Sequence, residues 1–125
     1  MRTAKITVTM NGETHTGVGQ AILTGDGAEI CYTFWGETNL SFTTQGALLT
    51  RKGEMSFTLP LGSKTPQTVL LKTAYGEIPA TVSTTRYLAS FSDTLAKVMA
   101  KYVFSDGFTE QEFSFSLTAR ISEDI

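Results

Sequence analysis

Phe113, Phe115, Leu117, Ala119 and Ile121 alternate with Ser114, Ser116, Thr118 and Arg120. A period of two puts one residue set on each face of a β-strand. The same beat recurs along nearly the whole chain, as expected of antiparallel sheet with one buried and one wet face per strand. Ala4, Ile6, Val8 and Met10 form one face of a first strand, which ends at the turn dipeptide Asn11-Gly12. A second run, Gly17 to Thr24, carries Val18 and Ile22; its Gly17 and Gly19 suggest a bend or bulge. After the turn Gly25-Asp26-Gly27, Ala28, Ile30, Tyr32 and Phe34 alternate with Glu29, Cys31, Thr33 and Trp35 until Gly36-Glu37 breaks the run.

Leu40 and Phe42 mark a fourth strand and Leu48 to Arg51 a fifth. Lys52-Gly53 turns into Met55, Phe57, Leu59 and Leu61, where Pro60 suggests an edge or a strand exit. A polar loop from Gly62 to Gln67 follows. Val69, Leu71 and Thr73 lead through Tyr75-Gly76 to Ile78, Ala80 and Val82, and then to a strand carrying Tyr87, Ala89 and Phe91. From Asp93 to Phe104 two readings compete. Leu95, Val98, Met99 and Tyr102 fit helical spacing behind an Asp93 cap. A strand from about Lys97 fits alternation, and a hairpin through Asp106-Gly107 favours it. Turn signals return every 8–12 residues or so, and the connections are short. These features predict an all-β domain: a single antiparallel up-and-down β-barrel of about 8–10 strands spanning residues 1–125.

Composition adds exclusions. The 125 residues suffice for one domain with a real core. Twenty-one threonines against ten serines suit the wet faces of strands. Twelve acidic against ten basic residues argue against nucleic-acid binding and against a polybasic membrane patch. A single cysteine, Cys31, forbids an internal disulfide and fits a reducing compartment. No signal peptide or membrane helix is visible, so the expectation is a cytoplasmic protein.

Three short stretches resemble a known family. They are Tyr32 followed by Thr43-Thr44, then Leu49-Thr50-Arg51-Lys52-Gly53, then Thr73-Ala74-Tyr75-Gly76-Glu77-Ile78 followed by Val82-Ser83-Thr84. Together they are similar to the YwiB-like family of small bacterial proteins of unknown function. The resemblance implies a calycin-like (lipocalin-like) β-barrel and no activity. In one respect the chain departs: Thr33, Phe34 and Trp35 stand where family members place acidic residues after the tyrosine matching Tyr32. The Gly-x-Trp of secreted lipocalins is absent. So is the Arg-x-Tyr clamp of intracellular fatty-acid-binding proteins, because Ile121 and Ser122 follow Arg120.

Catalytic signals are weak. His15, the only histidine, reads as a solvated loop or strand-edge residue. One histidine and one cysteine make a metal site improbable. Nothing near Cys31 would lower its pKa for nucleophilic work. No nucleophile elbow, dinucleotide fingerprint or P-loop occurs. Glu110 with Glu112, and Glu123 with Asp124, read as solvated carboxylates. Arg86 reads as a surface charge. Arg51 is different: alternation puts it on the face of Leu49. If that face points inward, Arg51 stands near the barrel mouth and could hold a carboxylate or phosphate bidentately. The competing reading is a salt bridge to Glu37, Glu54 or Glu77, or a rim charge.

The expectation is therefore a non-enzymatic barrel without cofactor that binds a small, partly apolar, anionic ligand. Tyr32, Phe42, Phe57 and Tyr75 would line the site and Arg51 would pair the charge. The alternative is a protein-interaction or homo-oligomerising barrel, such as a homodimer, without a ligand cavity.

Overall fold

Alternation becomes strand in nearly every expected run, although the third strand ends at Tyr32, before Thr33 and Phe34. The computed structural model describes residues 2–34, 36–53 and 55–122. Their strands are β1 (Arg2–Met10), β2 (Glu13–Leu23), β3 (Gly27–Tyr32), β4 (Glu37–Thr43), β5 (Ala47–Lys52), β6 (Met55–Leu61), β7 (Gln67–Thr73), β8 (Gly76–Phe91), β9 (Leu95–Ser105) and β10 (Glu110–Ile121). The ambiguous segment after Asp93 is strand. Its helical spacing loses because β9 pairs with β10 in unbroken register from Leu95↔Arg120 to Ser105↔Glu110. Among the described residues no helix is long and apolar enough to cross a membrane.

Each strand pairs antiparallel with its chain neighbour, and β1 closes onto β10 from Ala4↔Ile121 to Met10↔Phe115. The ten-stranded ring is thus an up-and-down barrel with no crossover. The apolar set of each strand points inward. Ile6, Val8, Ile30, Leu40, Phe115 and Leu117 are almost wholly buried. Each such side chain contributes roughly 1.5–3 kcal/mol through burial. Two phenols reach across the interior: Tyr87 Oη donates to the Thr43 carbonyl at 2.7 Å, and Tyr102 Oη lies 3.9 Å from Met10 Sδ.

Two sequence readings change for physical reasons. The runs 78–82 and 87–91 are one strand, not two. A bulge between Thr84 and Arg86 inserts one extra residue opposite β9, so the inward set switches from Ala80, Val82 and Thr84 to Tyr87, Ala89 and Phe91. In β2 the inward set is His15, Gly17, Gly19 and Ala21, because His15 faces the buried Val8 across β1. Val18 consequently points outward and is 67% exposed. The two glycines serve close approach rather than bending. A Cβ on Gly17 would collide with the Phe34 ring, and one on Gly19 with the Cys31 carbonyl oxygen and the Ile6 side chain.

The ring is weakest between β6 and β7, where among the described residues only Met55↔Thr73 and Ser56↔Lys72 are in register. Pro60 lies beyond that paired stretch, opposite Leu48 of β5, so the β7 side needs no N–H from it. The loop that follows is tied to the bulge instead. Gly62 N donates to Thr84 Oγ1 at 2.9 Å, and Thr84 N donates to the Ser63 carbonyl at 2.8 Å.

Candidate functional site

The registers of β3 to β6 build one inward-facing row. Tyr32 is opposite Thr38, Thr38 is opposite Arg51, and Arg51 is opposite Phe57. Cross-strand partners share a face, so all four side chains look into the barrel. Tyr32 and Thr38 are buried, whereas Arg51 and Phe57 are half-buried. The row lies near the end where β1 turns into β2 and β5 into β6. Gly36, with φ of 80°, folds the β3–β4 connection over the arginine: a Cβ there would sit 3.3 Å from Arg51 Nε.

Aromatic rings wall this end. Phe34 stacks on Tyr32 with centroids 4.8 Å apart. On the opposing wall Tyr102 stacks on Phe113 at 5.3 Å, and Phe104 meets Phe113 edge-on at 6.4 Å. The guanidinium is felt by both phenols. Burial pushes the Tyr32 phenol up, against the pull of a hydrogen bond with Thr38 and of the Arg51 charge. Burial pushes Tyr102 up to about 12, and again the Arg51 charge opposes the shift. One cation is therefore within electrostatic reach of two protonated phenols at an aromatic end. Such a group can accept a carboxylate or phosphate on its guanidinium while the hydroxyls donate to the remaining oxygen lone pairs.

Of the five residues expected to form a site, the structure brings Arg51, Tyr32 and Phe57 together. Phe42 is buried at the opposite end, edge-on to Phe91 at 6.3 Å. Tyr75 is a correction: it sits in the β7–β8 turn, 101% exposed, and walls nothing. The turn dipeptide puts it beyond the last paired residues, Thr73↔Gly76. Tyr102 and Phe34 were missed as members. Tyr102 belonged to the stretch with two competing periods, and no local signal says which distant strand it faces.

The charges around Arg51 also sort themselves. Glu37 and Glu77 are on the outer face, across from Lys52 and Lys72. Glu54, Trp35, Glu123 and Asp124 lie outside the described residues. His15 is another correction: it is on the inner face, 32% exposed, with Nε2 3.1 Å from Glu13 Oε1. Cys31 is on the outer face of β3, so the barrel wall separates it from His15. Burial, then the Glu29 carboxylate beside it, pushes the Cys31 thiol up, which keeps it protonated at neutral pH. Among the described residues no group of three or more His, Cys, Asp or Glu is placed to hold a metal ion. Arg86, Glu110 and Glu112 are exposed.

No family model matches the sequence, and no curated protein matches it. Among solved structures, the crystal structure of the YwiB protein from Bacillus subtilis superposes with a TM-score of 0.71, covering 97% of this chain and 89% of that one at 13% identity. The barrel has the YwiB fold. At that identity the likeness is one of architecture, carried by largely different side chains. The resemblance suggested by the short motifs thus holds at the level of the fold. It assigns no chemistry to the Arg51 end, whose meaning rests on its own geometry.

Proposed function

We propose that the protein is a non-enzymatic ligand-binding barrel that holds the anionic head of a small, partly apolar molecule at the Arg51 end. The observation that carries this reading is the inward row Tyr32–Thr38–Arg51–Phe57 facing Tyr102. Aromatic side chains beside the guanidinium give the apolar part of a ligand its contact. A cytoplasmic setting fits the reduced Cys31.

The test is a thermal-shift screen with aliphatic carboxylates, aromatic carboxylates and phosphate monoesters. A ligand that raises Tm in the wild type and leaves Arg51→Ala unmoved supports the reading. An equal rise in both proteins, or no rise with any of the three classes, defeats it.

A second reading has its own observation. On the outer face Leu88, 53% exposed, stands opposite Met99 beside a shallow depression of about 370 Å³. A self-associating barrel would bury that pair. Light scattering would then report a dimer, and Leu88→Lys would return it to a monomer.

A further inference from the structure

Behind the inner row lies an outer groove of about 790 Å³, within the range of roughly 300–1,000 Å³ seen for small-molecule sites. Its floor is again a cross-strand row. Gln20 is opposite Cys31, Cys31 is opposite Asn39, and Asn39 is opposite Thr50. All four alternate with buried neighbours and therefore face outward. The strands beneath are paired on both sides, β3 by β2 and β4, and β4 by β3 and β5. Their main-chain groups are committed to the sheet. An extended peptide cannot add to the floor as another strand, so recognition here has to come from side chains.

Those side chains are two amides, a thiol and a hydroxyl. Asn39 Nδ2 donates to Glu29 Oε1 at 2.7 Å and lies 3.4 Å from Cys31 Sγ, which fixes the plane of the amide. Charge in the groove is largely offset, with Glu37 directly across from Lys52. Glu29 and Glu37 together still disfavour an anion. The flanks are apolar: Val18 is 67% and Leu48 51% exposed. The groove thus offers the Gln20 amide, the Asn39 side-chain oxygen and the Thr50 hydroxyl in the middle and hydrocarbon at its sides.

We propose that this groove binds a neutral polyhydroxylated ligand, a short oligosaccharide. Sugar hydroxyls are donors and acceptors at once, as carboxamides and threonine hydroxyls require of a partner. The C–H faces of the sugar ring match Val18 and Leu48. A lipid would offer these polar groups neither donor nor acceptor. The floor side chains are on the opposite face of the wall from Arg51, and Tyr32 and Thr38 of the inner row also border the groove.

The experiment is an NMR titration of isotope-labelled protein with maltotriose, cellotriose and chitotriose. Saturable shifts at the amides of Gln20, Asn39 and Thr50 are expected with at least one of them. Asn39→Ala should weaken that binding about tenfold, the effect of losing one hydrogen-bonding side chain. Leu48→Lys, at an exposed position that the fold does not need, should abolish it, and Arg51→Ala should leave it unchanged. The proposal falls if none of the three sugars gives saturable shifts up to about 10 mM. It falls equally if the shifts map elsewhere or survive Leu48→Lys. Should Asn39→Ala fail to fold, Leu48→Lys alone decides.

Discussion

At the scale of single residues, a few atoms set what the chain tolerates. Gly19 faces the Cys31 carbonyl oxygen, which belongs to the paired backbone of β3 and cannot move aside as a side-chain tip could. Gly19→Ala should therefore destabilise the fold by about 1–3 kcal/mol, the usual cost of overpacking. Urea unfolding would show it as a lower midpoint with an unchanged slope. Arg51 gives a sharper test of geometry. Its charge pulls the titrations of Tyr32 and Tyr102 downward. In Arg51→Ala both phenols should titrate at higher pH, followed by tyrosinate absorbance. If the tyrosine titration is superimposable on that of the wild type, the guanidinium is not within electrostatic reach of them.

At the scale of elements, the bulge in β8 joins two functions. It reverses which residues face inward, and it presents Thr84 to the β6–β7 loop. Thr84 is buried, with 3% exposure, and its hydroxyl is the acceptor for Gly62 N. Thr84→Val keeps the shape and removes that acceptor, leaving an N–H without its partner. A loss of about 1–3 kcal/mol is expected, together with faster hydrogen exchange at Gly62. Thr84→Ser, which retains the hydroxyl, should recover most of it. Much of this element scale was legible in the sequence. Ile78, Ala80 and Val82 are even-numbered, whereas Tyr87, Ala89 and Phe91 are odd-numbered, and a parity change inside one apolar pattern is the signature of a bulge. It reads equally well as two strands with a turn between them. Only the pairing with β9, which continues on both sides of Thr85, chooses.

At the scale of the whole molecule, closure of the ring makes the interior one shared environment. Residues far apart in sequence desolvate each other, as Tyr87 and Tyr102 show: burial raises both to about 12. A phenol whose folded pKa lies above its unfolded value near 10 binds its proton more tightly when folded. Its contribution to stability is complete below pH 10 and is lost as the pH climbs from about 10 to about 12. For Tyr102, the more buried of the two, the loss is on the order of 2 kcal/mol. Urea midpoints measured across that interval should fall for the wild type and fall less for Tyr102→Phe. An equal fall in both would mean that another group carries the alkaline transition.

The amino-acid order alone determined most of the strands, most of their inward sets and the up-and-down winding, with β2 and the bulged β8 as exceptions, because alternation and short turns are local properties of a pleated chain. It also placed Arg51 on the face of Leu49, since parity within one strand is local too. The tertiary structure decided what that face meets. The row from Tyr32 through Thr38 and Arg51 to Phe57 depends on the registers of three strand pairs. The approach of Tyr102 depends on the barrel having closed. For the same reason Tyr75, which belongs to a suggestive motif, fell outside the wall, and His15 fell inside it. Register and closure are fixed by contacts between distant strands, and a pattern with period two carries no information about which distant strand arrives.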